Sequence, residues 1–536
     1  LKVLSQARLI LIVSSFLVIF NNIAFFQKSM EVYPLGGLNT FFIISLAIFL
    51  LCFTVILFTL VSSKYTIKPI LIIVVIISAF TNYFMNTYNI IVDDSMIRNT
   101  LQTNIGESLD LLSLELISYI FFLAIVPTYF IYNANIEYRS FKEELQSKFK
   151  TIIIAIVLIA VIVLSFSKYY TSFFREHKQL RYYTNPTYWI YSIGNYISKT
   201  VNNGPIIVQS IGDDAKIVEL VTEKKELIIM VVGEAARADR FSLNGYKRET
   251  NPLLSKEDIV SFPNIYSCGT STAVSVPCMF SIFGKDDYNY KKGLSTQNIL
   301  DILNKSDELE ILWRDNNSDS KGVALRVPYE DYRTPKNNTI CIDGECRDIG
   351  MLVGLDKYIE KNKDKDILIV LHQMGNHGPA YYKRYPKEFE KFTPVCKTNQ
   401  LEQCTQEEVS NAYDNAILYT DYFLSNVINF LKPYSNTHET AMIYMSDHGE
   451  SLGENGLYLH GMPYFMAPDT QTNVASIMWF GGDEIKEDID VEKLKTYKNK
   501  KFSQDNLFHT LLRLMEVDTE VYDKKLDILY NATKPH

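Results

Sequence analysis

Long stretches without a single charge fill the first third of the chain and then stop. Apolar runs occupy residues 9–26, 41–61, 69–85, 116–132 and 152–167. Each approaches the roughly 17 to 25 residues that cross a bilayer as a helix, so five spans are expected. The first run could pass for a signal peptide. No small-residue cleavage site follows it, and four further runs come after, so it is read as a span. From about residue 225 the pattern becomes short apolar runs separated by longer, helix-compatible polar segments. Residues 227–232, 366–371 and 441–445 are candidates for buried strands, and 309–312 is a shorter one. This alternation predicts an α/β domain of roughly 300 residues. The expected organisation is a transmembrane domain over 1–168, an interfacial bridge over 169–225 and a catalytic domain over 226–536. The bridge is rich in aromatic residues suited to a membrane interface, among them Tyr169, Tyr170, Phe173, Phe174, Tyr188 and Trp189, and holds a turn-prone segment at 202–205.

Charge between the runs orients them. Lys2 and Arg8, Lys64 and Lys68, and Arg139, Lys142, Lys148 and Lys150 mark alternate ends, which the positive-inside rule places in the cytoplasm. The loop between the third and fourth runs is acidic instead, with Asp93, Asp94, Glu107 and Asp110 against Arg98. Five spans then export everything after about residue 168. A net charge of −8 and no basic stripe argue against a nucleic-acid partner.

Cysteine placement agrees. Six of the seven cysteines (Cys268, Cys278, Cys341, Cys346, Cys396 and Cys404) fall in the exported part as three close pairs, whereas Cys52 sits in the second run. An oxidising compartment would allow disulfides, with 15 connectivities open to six cysteines. Between Cys268 and Cys278 lie three candidate hydroxyl nucleophiles, Thr270, Ser271 and Thr272. A hydroxyl needs activation to attack phosphorus, and a metal supplies it.

Chemically capable residues follow the strand candidates. Gly233-Glu234 follows the first, His372 and then Asn376-His377-Gly378 the second, and Ser446-Asp447-His448-Gly449-Glu450 the third. Open α/β sheets bind ligands along that carboxyl edge. Glu234, Asp447 and His448 offer two oxygen donors and one nitrogen, and a hydroxyl from the cysteine-bounded stretch offers a fourth ligand, a set suited to catalytic zinc. His377 and His460 lie in glycine- and proline-bearing segments suited to proton transfer, phosphate binding or a second metal. His372 is a further histidine near the motifs. His177, His438, His509 and His536 read as packing or surface residues. Asn317 and Lys321, in the polar stretch after the 309–312 strand, could bind phosphoryl oxygens.

Four segments carry a family resemblance: Val232-Gly233-Glu234-Ala235-Ala236-Arg237-Ala238-Asp239, Ser267-Cys268-Gly269-Thr270-Ser271-Thr272, Gly375-Asn376-His377-Gly378-Pro379 and Ser446-Asp447-His448-Gly449-Glu450-Ser451-Leu452-Gly453-Glu454. They resemble the phosphoethanolamine transferases, which include the lipid A-modifying enzymes of polymyxin resistance. Met96-Ile97-Arg98-Asn99-Thr100-Leu101-Gln102-Thr103 and Phe174-Arg175-Glu176-His177-Lys178 extend the resemblance into the membrane part. It implies an alkaline-phosphatase-like (sulfatase-like) α/β/α domain after five transmembrane helices, and Thr272 as nucleophile. It also implies zinc ligands Glu234, Thr272, Asp447 and His448, and substrate-pocket residues Asn317, Lys321, His377 and His460. The cysteines would pair as Cys268 with Cys278, Cys341 with Cys346 and Cys396 with Cys404, the middle pair closing a shorter loop than in relatives.

The activity so implied is transfer of phosphoethanolamine from phosphatidylethanolamine to lipid A through a covalent threonine intermediate. The enzyme would be a monomer in a Gram-negative inner membrane, with its catalytic domain in the periplasm. A phosphoglycerol transferase of the lipoteichoic acid synthase type shares the architecture, and a non-catalytic membrane sensor on the same fold is a different class of reading. A sulfatase activity fits less well, since Cys278-Met279-Phe280-Ser281 lacks the C/S-x-P-x-R pattern.

Overall fold

The computed structural model describes every residue except 1–2, 104–107, 110, 202–206, 219–223, 343, 484 and 535–536. Glu107, Asp110, the 202–205 turn and His536 therefore lie outside the described residues. The chain forms two compact units, one of Leu1–Ile97 with Leu112–Thr200, the other of Arg98–Leu111 with Val201–His536.

In the first unit, helices α1 (Gln6–Phe20), α2 (Ile23–Val32), α3 (Gly37–Val61), α4 (Ile67–Tyr88), α5 (Leu114–Tyr132) and α6 (Phe141–Ser165) follow the apolar runs. The last four are long and apolar enough to cross a membrane; α1 and α2 make a fifth span only if taken together, because they meet at a 56° bend. The single straight helix expected over 9–26 is thus broken at Asn21 and Asn22. The Asn22 amide donates to the Leu17 and Asn185 carbonyls at 2.9 and 2.6 Å, and Asn82 donates to the Phe20 carbonyl at 3.1 Å. These side chains satisfy the carbonyls that a helix end exposes, which lets a helix stop within an apolar environment. Asn185 in turn donates to the Ser78 carbonyl at 2.9 Å and accepts from the Trp189 indole at 3.1 Å. Of α6, only Ala155 is buried within the protein, and most of its isoleucines, valines and leucines, among them Ile154, Val157, Val161 and Leu164, are exposed on the surface of the unit.

The second unit is built on an eight-stranded sheet. Its strands are β1 (Lys225–Gly233), β2 (Ile259–Tyr266), β3 (Leu309–Asp315), β4 (Tyr329–Asp331), β5 (Asp366–His372), β6 (His438–Ser446), β7 (Asn473–Gly481) and β8 (Phe502–Ser503). They lie in the order β8-β2-β7-β6-β1-β5-β3-β4. All neighbouring pairs are parallel except those that β7 makes with β6 and β2. Central strands covered on both faces need apolar side chains on both, and β1, β5 and β6 are buried along nearly their whole length. Register does the positioning: Asp315 lies opposite His372, His372 opposite Val232, and Gly233 opposite Ser446. The residues that follow these four strands therefore emerge along one edge.

A short helix, α7 (Thr272–Met279), follows β2, and a long one, α8 (Gln406–Leu431), starts at a capping box in which Thr405 and Glu408 satisfy each other's backbone N–H groups. Within α8, Asp421 accepts from the Leu253 and Leu254 N–H groups at 2.9 and 3.0 Å. Burial raises its carboxyl to about 7. A folded value above the unfolded one, near 4, gives stability that is complete below about pH 4 and lost as pH climbs through 7. The melting-temperature advantage of the wild type over Asp421→Asn should therefore shrink by several degrees between pH 5 and pH 8. A difference that stays constant across that range would show that Asp421 carries no proton in the folded protein.

Candidate active site

Glu234 leaves β1, Asp447 and His448 leave β6, and Thr272 opens α7 (Thr272–Met279). The Thr272 hydroxyl lies 3.2 Å from Glu234 Oε2 and 3.3 Å from His448 Nε2. His448 Nε2 is 3.4 Å from both Glu234 Oε1 and Asp447 Oδ2. All four residues are buried. His448 Nδ1 donates to the Gly449 carbonyl at 2.8 Å, which leaves a lone pair on Nε2. Burial also pushes the imidazole below its ordinary value, although the Asp447 carboxylate opposes this.

Whether these residues suit a cation can be judged from their polar atoms. Asp447 Oδ1 accepts from the Ala235 and His448 N–H groups at 3.1 and 2.7 Å, whereas Oδ2 is buried without a hydrogen-bond donor. An acceptor oxygen, a second carboxylate and an imidazole lone pair within 4.8 Å of one another make a costly grouping in a dry site unless a cation neutralises it. The donor set of two carboxylates, one imidazole and one hydroxyl fits zinc.

The turn before Thr272 is tightly held. Ser267 donates to the Gly269 carbonyl at 2.5 Å, and Gly269 N–H donates to Ser275 Oγ at 3.0 Å. A Cβ on Gly269 would come within 2.7 Å of Val274, so no larger residue fits. Cys268 is bridged to Cys278 across α7; Cys341–Cys346 and Cys396–Cys404 are also bridged, as neighbour pairing implied. Cys278 is therefore not a free thiol. Gln504 adds a clasp: it accepts from Cys268 N–H at 2.7 Å and donates to the Ser446 and Asp447 carbonyls at 2.8 and 2.7 Å. Replacing Cys268 and Cys278 together by serine should loosen this turn and lower the transfer rate about tenfold. Unchanged turnover in the verified double variant would show the bridge to be dispensable.

The remaining expected residues stand around this centre. Asn317 donates its amide to Glu234 Oε2 at 2.7 Å and to the Gln373 carbonyl at 2.9 Å, so it orients a carboxylate of the cluster. The His460 ring packs against that of His448 at 4.2 Å between centres with a 42° tilt, and its Nδ1 lies 3.2 Å from Glu450 Oε2. The His377 ring is 6.0 Å from that of His460. Burial, with Arg384, His460, His448 and Lys321 nearby, holds His377 well below the usual imidazole value. Lys321 is bound into its own loop, with a left-handed φ of 49° and its backbone N–H on Asp319 at 2.6 Å. Its ammonium is buried, lies 3.9 Å from Asp319 Oδ1, and is one of the positive charges that lower His377.

His372 turns away from the site: its Nδ1 meets Asp315 Oδ2 at 2.9 Å, and Asp315 Oδ1 accepts from Asn317 N–H at 3.0 Å. Four residues enter that sequence reasoning did not assign: Gln504, Tyr413, Glu450 and Arg384. Tyr413 donates to the Ala235 carbonyl at 2.6 Å and accepts from Arg237 N–H at 3.0 Å, which holds Ala235 at a left-handed φ of 53° behind Glu234. Glu450 stood within a quoted motif and could have been found there; the others carried no local signal.

A family model described as phosphoethanolamine transferase EptA/EptB matches residues 50–201, and one described as sulfatase matches residues 226–517. Phosphatidylethanolamine transferase Mcr-2 of Escherichia coli is 44% identical over 516 residues, 94% of each chain. Phosphoethanolamine transferase EptA of Escherichia coli strain K12 is 38% identical, over 96% of this chain and 94% of its own. Among solved structures, the integral membrane lipooligosaccharide phosphoethanolamine transferase A of Neisseria meningitidis superposes with a TM-score of 0.95 at 34% identity, covering all of both chains. Hydroxyl, carboxylates and imidazole at the carboxyl edge of the sheet agree with these likenesses, and the chain belongs to the phosphoethanolamine transferase family.

Proposed function

We propose that this transferase moves phosphoethanolamine from phosphatidylethanolamine to lipid A through a covalent intermediate on Thr272. The observation that carries this reading is the Thr272 hydroxyl, placed at the first turn of α7 between Glu234 and His448. In the first half-reaction a bond forms between Thr272 Oγ1 and phosphorus, the bond from phosphorus to the diacylglycerol oxygen breaks, and that oxygen takes up a proton. In the second, an acceptor oxygen bonds to the same phosphorus, the bond from phosphorus to Thr272 Oγ1 breaks, and the proton lost by the acceptor restores the Thr272 hydroxyl. The first-turn N–H groups of α7 favour the phosphoryl negative charge.

Glu234, Thr272, Asp447 and His448 would hold zinc, which lowers the pKa of a bound hydroxyl and neutralises developing phosphoryl charge. Asn317 fixes the Glu234 carboxylate. Lys321 supplies positive charge toward the pocket, and His377 and His460 are the groups placed to bind phosphoryl oxygens or move the proton. Donor and acceptor are both lipids, which suits an enzyme whose first unit carries membrane-length helices. The donor is named in the Mcr-2 relative and a lipooligosaccharide acceptor in the Neisseria meningitidis one. Three disulfides support an oxidising location, with the α/β unit in the periplasm of a Gram-negative inner-membrane protein.

Head-group-labelled phosphatidylethanolamine and phosphatidylglycerol, offered separately, test the donor. Label on Thr272 from the first alone is expected; label from the second would move the assignment to phosphoglycerol transfer. A mass spectrum of lipid A from cells with and without the protein tests the acceptor, and absence of a phosphoethanolamine increment would remove lipid A from the proposal.

A further inference from the structure

The loop that carries His377 runs from the end of β5 to Arg384, and another segment grips it at several points. Asp348 accepts from the Met374 and Gly375 N–H groups at 2.8 and 3.2 Å. Arg347 donates to the Lys383 carbonyl at 2.6 Å. From the loop's far end, the buried Arg384 reaches back in two directions: its Nε donates to the His377 carbonyl at 2.8 Å, and its Nη1 pairs with Glu345 Oε2 at 2.8 Å. Glu345 belongs to a small hairpin, Cys341–Ile342 paired with Glu345–Cys346, that the Cys341–Cys346 disulfide closes. A guanidinium forks in one plane, so a carboxylate that fixes one arm also fixes the direction of the other. Arg384 therefore transmits the position of the hairpin to the backbone of His377.

We propose that Arg384 and Glu345 are positioning residues, through which the disulfide-closed hairpin sets the place of His377 in the phosphoethanolamine pocket. The proposal rests on the reading of His377 as a pocket residue. It gives the hairpin a role in turnover beyond its part in neutralising the buried Arg384.

The test is a double-mutant cycle on the full-length protein in detergent micelles containing phosphatidylethanolamine, reading kcat and KM separately alongside the melting temperature. Glu345→Gln, which keeps an acceptor oxygen for Arg384 but loses the charge, should lower kcat/KM about tenfold with a melting-temperature loss of a few degrees. In a His377→Asn background the same substitution should change kcat/KM less than twofold, because the residue being positioned is gone. Arg384→Lys, which keeps the charge but cannot hold both partners in the fork, should fall as far as Glu345→Gln. An equal loss in both backgrounds, or no loss from Glu345→Gln where His377→Asn is damaging, overturns the positioning role alone. A His377→Asn variant that transfers at the wild-type rate overturns the reading of His377 itself, and the positioning role with it.

Discussion

Thr272→Ala is expected to reduce phosphoethanolamine transfer by about 10⁴-fold or more while leaving the melting temperature within a degree or two of wild type. The substitution removes one buried methyl and the hydroxyl at the first turn of α7 and leaves the helix and the Cys268–Cys278 bridge in place. The Thr272 hydroxyl, however, is the group between Glu234 Oε2 and His448 Nε2. Thr270, two residues earlier, cannot substitute, because its hydroxyl already donates to the Met462 carbonyl at 2.6 Å. Thr272→Ser keeps the oxygen but loses the β-branch that restricts χ1, so it should retain activity reduced roughly 10-fold to 100-fold. Intact-mass analysis after mixing with donor lipid adds a second reading: wild type should gain one phosphoethanolamine and the alanine variant none. Transfer by Thr272→Ala at more than a hundredth of the wild-type rate would remove the covalent step from the mechanism.

Asp447→Asn should abolish metal retention and lower turnover about 10³-fold or more, with an effect on stability that changes sign with the metal. In the presence of zinc the wild type gains stability from a ligand bound only to the folded state, and the variant does not. Under a strong chelator the wild type keeps Glu234 and Asp447 close together around His448, with Asp447 Oδ2 lacking a donor. Asparagine removes one of those buried charges, so the chelated variant should melt at or above the chelated wild type. Metal content by mass spectrometry and melting curves with and without chelator check both halves. A variant less stable than wild type under both conditions would mean that Asp447 serves folding through its bonds to Ala235 and His448, and not metal binding.

Much of the site was legible because a parallel sheet converts sequence into place. Once β1 and β6 are recognised as buried strands, the residues after them must emerge at one edge, and Glu234, Asp447 and His448 do so. The disulfides were legible through the family resemblance, which pairs cysteines 10, 5 and 8 residues apart, whereas the cysteine positions alone left 15 connectivities open. The break at Asn21 was not, since two asparagines barely lower the apolar content of an 18-residue window, and what stops α1 is a set of bonds from Asn22 and Asn82. Arg384 escaped notice because its role depends on a glutamate 39 residues away on a hairpin with no apolar pattern of its own.

Gln504 joins the turn before Thr272 to the loop after β6, although it lies 236 residues beyond Cys268 and 57 beyond Asp447. Without its amide, one buried N–H and two buried carbonyls would lack these partners. A change at Gln504 would therefore reach the turn before Thr272 and the loop that carries Asp447 at once, through backbone groups alone.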